Sequence, residues 1–370
     1  MKKTTLNALL IASTLALGAC CYNSEQGRKT VNVACQALLD NKALPETYYS
    51  PDGMTLGPDG YIYVSINQVA GKWKHPAKIA RISPADKIED FYVLPLHPKT
   101  QKTSPLGLAF AADGNLYVSD NQAFVSEEKG ISGIIRVNIK DGKPVGDKRV
   151  VTGFNMANGM TVRGNYIYVA ETGLTDNRAE KTSTHLSGVY RFSLDELNGD
   201  DPLTVTGLGD PHLILTLETK NKDVKVGANG LDFDSKGNLW VGNFGDAELW
   251  KYTLDQGGKI VNQTLFVQLE GVKSLDGFHI DAEDNIWAAD FAGNALVRIQ
   301  AQTGERWIVS KNALPAKIEE GEFHSSSESI RRKNKIYISN IDLDAPQHKG
   351  GGMQTITVIT LNEINSVHKK

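Results

Sequence analysis

The stretch Asp52-Gly53-Met54-Thr55-Leu56, followed by Asp59-Gly60-Tyr61-Ile62-Tyr63-Val64, decides the architecture because the chain repeats it. It returns as Leu106-Gly107-Leu108-Ala109-Phe110 with Asp113-Gly114-Asn115-Leu116-Tyr117-Val118, and as Asn158-Gly159-Met160 with Tyr166-Ile167-Tyr168-Val169. Two more copies are Asn229-Gly230-Leu231 with Asn238-Leu239-Trp240-Val241, and Asp276-Gly277-Phe278 with Asn285-Ile286-Trp287-Ala288. A degenerate sixth reads Glu328-Ser329-Ile330 with Lys335-Ile336-Tyr337-Ile338. The first glycines stand 54, 52, 71 and 47 residues apart, and Ser329 adds a further 52. Six units of about fifty residues predict an all-β fold, a six-bladed β-propeller.

Each unit reads as β-sheet. Apolar residues alternate, a Gly-containing turn follows about seven residues after the first glycine, and a β-branched and aromatic strand returns. Third strands are expected at 79–82, 134–137, 189–192, 249–252 and 296–299, and fourth strands at 91–94, 149–152, 212–217, 264–267 and 306–309. The sixth unit has a third strand at 355–359 but almost no chain left for a fourth. An N-terminal strand within residues 30–48 is therefore expected to close the last blade, removing an open edge. The 71-residue step holds extra chain around 172–186 and 197–228, read as loops that either cap the site or are simply solvated.

Composition narrows the partners. The 370 residues carry 40 Lys+Arg against 43 Asp+Glu, a net charge of -3, so no cationic field favours nucleic acid. Lys2 and Lys3 precede an apolar run, Leu6 to Leu17, too short to span a bilayer. Its end, Leu17-Gly18-Ala19-Cys20, resembles the bacterial lipobox. That resemblance implies a signal peptide at 1–19, lipidation of Cys20, a tether at 20–45, the propeller at 46–362 and a tail at 363–370. The protein would then sit in the cell envelope, facing the periplasm and held by lipid alone. Because Cys21 is not Asp, the outer membrane is the expected destination in a cell that has one. A plain secretory signal is the alternative. Among 3 cysteines, Cys21 and Cys35 either form one bridge in an oxidising compartment or stay unpaired.

In an antiparallel blade the residue before each repeated glycine comes to one end of the central channel. In order these are Asp52, Leu106, Asn158, Asn229, Asp276 and Glu328. Five of the six offer oxygen and none is basic, which suits a hard cation, calcium before magnesium. Asp or Asn before Gly is also ordinary turn chemistry, but each unit already has its hairpin turn further on.

Asp52-Gly53, Asn158-Gly159, Asn229-Gly230-Leu231-Asp232 and Asp276-Gly277-Phe278 together resemble the metal-ligand pattern of the gluconolactonase, regucalcin and luciferin-regenerating family. The resemblance implies one divalent cation, most often calcium, held by Asp52, Asn158, Asn229 and Asp276, with Glu328 as an additional donor. Asp52 departs from the pattern, in which Glu is usual. It further implies hydrolysis of a lactone or related ester, a small-molecule substrate, with Asp276 as general base or as ligand only. His324, near the mouth, is a second candidate for proton transfer, whereas alternation along its strand makes His279 a packed or supporting residue. A non-catalytic, lipid-tethered scaffold binding a protein or glycan is the competing reading. A quinone-dependent dehydrogenase fits less well, for want of a basic cluster to hold an anionic cofactor.

Overall fold

The computed structural model describes residues 28–30, 33–39, 42–174, 184–312, 320–343 and 354–361. The expected signal peptide at 1–19, Cys20, Cys21 and the tail at 363–370 lie outside the described residues. Six sheets of four or five strands are arranged about one axis. The innermost strands are Pro51–Leu56, Pro105–Phe110, Ala157–Arg163, Ala228–Phe233, Phe278–Ile280 and Ser326–Arg332. Each touches the next, and the sixth touches the first, so the ring is closed. The expected third and fourth strands are present, somewhat longer than their apolar centres, as at Ser132–Lys140 and Lys143–Phe154.

Second strands such as Ile62–Ile66, Leu116–Asp120 and Leu239–Asn243 are buried along their whole length, because a blade has a neighbour on both faces. The core is accordingly distributed over six interfaces. One cluster joins Met54, Ile62 and Val64 of the first blade to Ile330, Tyr337 and Val358 of the last, and a corresponding cluster fills each of the other five interfaces. The repeated aromatics Tyr63, Tyr117, Tyr168, Trp240, Trp287 and Tyr337 are all buried between blades. Most also tie down the preceding hairpin. Tyr63 donates its hydroxyl to Asp59 (2.8 Å), Tyr117 to Asp113 (2.9 Å), and the Trp240 and Trp287 indoles donate to Asp234 (2.9 Å) and Asp281 (2.8 Å).

The N-terminal segment is more than a single closing strand. Arg28–Thr30 runs parallel to Arg306–Lys311 on the outer edge of blade five, and Gln36–Ala37 pairs antiparallel with Ile356–Thr360 on blade six. Leu38 and Leu44 then enter the core between blades six and one. Strand pairing thus reaches back to Arg28–Thr30, within the stretch expected as tether. On the way Cys35 stands as a free thiol beside Ser310 (3.5 Å), and burial pushes it up to about 11. The insertion between the third and fourth strands of blade three is partly stapled as well, with Leu203–Thr204 adding a parallel fifth strand to blade two.

Candidate functional site

Close packing at the axis explains the repeated glycine. A Cβ on Gly53, Gly107, Gly159 or Gly230 would collide with the carbonyl oxygen of Leu106, Asn158, Asn229 or Asp276, respectively, the residue before the next blade's glycine. The residues preceding the glycines are thus brought together by the same contact that closes the ring. Asp52, Leu106, Asn158, Asn229 and Asp276 form the floor of one cavity of about 250 Å³.

The sixth floor position is not Glu328. Strand pairing places Ile330 opposite Tyr337, as Thr55 is opposite Tyr63 and His279 opposite Trp287. Ser327 therefore occupies the floor position, and it lines the cavity. Glu328 takes the place of the glycine, and its carboxylate lies against Gly277. The degenerate copy lacks Gly, which is why sequence alignment slipped by one residue there.

The floor is electrostatically strained in one direction. Burial pushes the Asp52 carboxyl up to about 7, against the opposing hydrogen bond with Ser327. Asp276 is raised well above the ordinary carboxylate range by burial and by repulsion from Asp52 and Glu328, while the Asn229 amide works the other way. Glu328 is raised by burial, with Asp52 and Asp232 adding to it. No described Lys or Arg lines the cavity. Among the described residues, no three His, Cys, Asp or Glu side chains are grouped so as to hold a metal ion. Together Asp52, Asn158, Asn229, Asp276 and Ser327 give the floor five oxygen-bearing side chains.

Behind the floor, the ends of the second strands clamp the chain leading into it. Glu171 accepts the backbone N–H groups of Asn155 (2.7 Å), Met156 (2.8 Å) and Gly173 (3.1 Å). Asp290 accepts those of Lys273 and Ser274, Asp120 that of Ser104, and Asn340 that of His324. These side chains satisfy loop amides. The residues one step further on, Asn121, Thr172, Phe244, Phe291 and Ile341, rise as part of the cavity wall. That recurrence after five of the six second strands is a signal the sequence carries.

The two histidines lie apart. His324 is held by Asp342, Nδ1 to Oδ1 at 2.6 Å, and does not line the cavity. His279 faces Asp232 (3.2 Å) further along the axis, in a second cavity of about 220 Å³ that Glu328 also lines.

Comparison with known proteins adds a family match. Residues 175–318 match the family model described as SMP-30/Gluconolactonase/LRE-like region, a span that includes Asn229 and Asp276 but not Asp52 or Asn158. No curated protein matched in sequence. Among solved structures, the calcium-binding protein regucalcin of Agrobacterium tumefaciens is similar at 15% identity, covering 90% of this chain and 95% of that one, with a TM-score of 0.57. A gluconolactonase of Xanthomonas campestris shares 14% identity over 91% of this chain and 99% of its own, TM-score 0.53. The PQQ-bound aldose sugar dehydrogenase of Streptomyces coelicolor shares 17% over 89% and 98%, TM-score 0.52. At such identities the likeness speaks to the fold, which hosts different chemistries. The chain is thus a six-bladed β-propeller, and its residues 175–318 match the SMP-30/Gluconolactonase/LRE-like family model.

Proposed function

We propose that the protein is a divalent-metal-dependent hydrolase of lactones or related esters, with calcium the preferred ion. The observation that carries this is the cavity floor, where two buried carboxylates, Asp52 and Asp276, meet two amides and a hydroxyl with no described cationic side chain among them. Mutually repelling carboxylates beside neutral oxygen donors are the chemistry that fits a hard cation. Asp52, Asn158, Asn229 and Asp276 would hold it. Once bound, a cation of this kind supplies Lewis acidity toward an ester carbonyl.

The chain's own residues do the rest. Asp276, oriented by the Asn229 amide, accepts the proton of the attacking water. Ser327 keeps the Asp52 carboxylate in place through its hydrogen bond. The Glu171 clamp fixes the backbone two and three residues before Asn158, so the floor is preorganised before substrate enters. His324 is assigned a positioning role, ordering the blade-six chain next to Ile341 on the wall. Calcium-dependent turnover of a lactone panel by the full-length protein, abolished in Asp276→Ala, tests the reading. Turnover unaffected by chelation and by that substitution would refute it.

The same proposal includes an envelope location through lipid on Cys20, supported by Leu17-Gly18-Ala19-Cys20. Intact-mass measurement of the membrane-extracted protein should show the lipid adduct, and Cys20→Ala should release the protein to the soluble fraction.

A further inference from the structure

The cavity wall differs in character from its floor. Phe244, Phe291, Met156, Val226 and Leu343 face the space above Asp276, and the Phe244 and Phe291 rings stand 5.7 Å apart. Among the described residues, the wall's two polar side chains are already engaged with the scaffold. Asn121 accepts the backbone N–H of Ala123 at 2.9 Å, and the Thr172 hydroxyl donates to the Ala228 carbonyl at 2.8 Å. A sugar lactone brings several hydroxyls that must exchange water for protein partners, and with the Asn121 oxygen and the Thr172 hydroxyl hydrogen engaged, the described wall offers few groups to pair with them. An alkyl or aryl group, in contrast, gains by leaving water here.

We propose that the mouth selects lactones or esters whose non-reacting part is apolar, over polyhydroxylated sugar lactones. This rests on the hydrolase reading of the floor and adds the substrate class. The cavity volume of about 250 Å³ equals roughly eight water molecules at ~30 Å³ each. That is room for a six-membered lactone ring with a short side chain. Within the cavity each added methylene should raise kcat/KM about fourfold, the equivalent of its transfer from water.

The test compares δ-valerolactone, δ-nonalactone and δ-gluconolactone with the full-length protein in calcium, alongside Phe291→Asn. The expected result is δ-nonalactone favoured over δ-gluconolactone at least tenfold in kcat/KM. Phe291→Asn should reduce that preference while leaving calcium affinity within about twofold. Equal or greater activity on δ-gluconolactone would overturn the apolar selection and leave the hydrolase reading intact. Calorimetric binding of 2-butylcyclohexanone, a carbonyl compound that cannot be hydrolysed, separates the two claims. Ketone binding weakened by Phe291→Asn, without turnover of any lactone, would support the apolar mouth and sink the hydrolase. Absence of ketone binding would overturn the apolar mouth itself.

Discussion

Gly230 lies directly against Asp276, so close that a Cβ at residue 230 would stand 2.6 Å from the Asp276 carbonyl oxygen. The contact links fold and site, because the position that permits ring closure also sets where a floor carboxylate begins. Gly230→Ala should therefore cost ~1–3 kcal/mol of stability by overpacking and weaken calcium binding by moving Asp276. Gly114→Ala is the control. Its φ is +81° with nothing within 4 Å of the new Cβ, so it should cost ~1 kcal/mol from backbone strain with calcium affinity unchanged. Urea denaturation and calorimetry check both.

The N-terminal segment predicts a truncation effect. Val33, Ala37 and Leu38 are buried, and the segment pairs with two blades. Starting the chain at residue 40 should lower the melting temperature by roughly five to ten degrees, since each fully buried aliphatic side chain is worth ~1.5–3 kcal/mol and a chain of this size loses about one to two degrees per kcal/mol. A chain starting at Asn23 should melt like the full-length protein.

The hairpin aspartates predict the acid limb of stability. Burial alone would raise Asp281, but the Trp287 indole, the Asn285 backbone and amide, and Arg331 outweigh it, so its carboxyl sits below the ordinary range. The folded pKa is lowered, hence the contribution is present above the unfolded value near pH ~4 and is lost as pH falls through the folded one. Asp281→Asn should destabilise by ~1–3 kcal/mol at pH 7, with the difference from the native protein shrinking below about pH 4. Chemical denaturation across pH reads this directly.

Glu171 and His324 separate support from chemistry. Glu171→Gln, which points an amide NH₂ at backbone N–H groups, should cost ~1–3 kcal/mol and weaken calcium binding several-fold. His324→Gln should lower stability through its lost contact with Asp342, yet leave kcat within about threefold. A tenfold or greater loss of kcat at unchanged melting temperature would place His324 among the reacting groups.

Much of this was legible before any coordinates. The periodic Gly and the aromatic strands specified six blades because both are demanded by packing that repeats at every interface. Asp52, Asn158, Asn229 and Asp276 were legible for the same reason, each lying one residue before a glycine. Ser327 was not, because the sixth copy has Glu328 where the others have Gly, and only strand pairing reveals the register. The apolar wall escaped notice since Phe244 and Phe291 look like core residues until second-strand ends are superposed. The parallel addition of Arg28–Thr30 to blade five had no local signal, being a contact across 276 positions or more.

Calcium titration of the full-length protein, by calorimetry and alongside Asp276→Ala and Asn229→Ala, tests the central claim most directly. The account predicts one site of micromolar or tighter affinity that both substitutions abolish. No binding of calcium or another divalent ion, or binding that survives both substitutions, would contradict it.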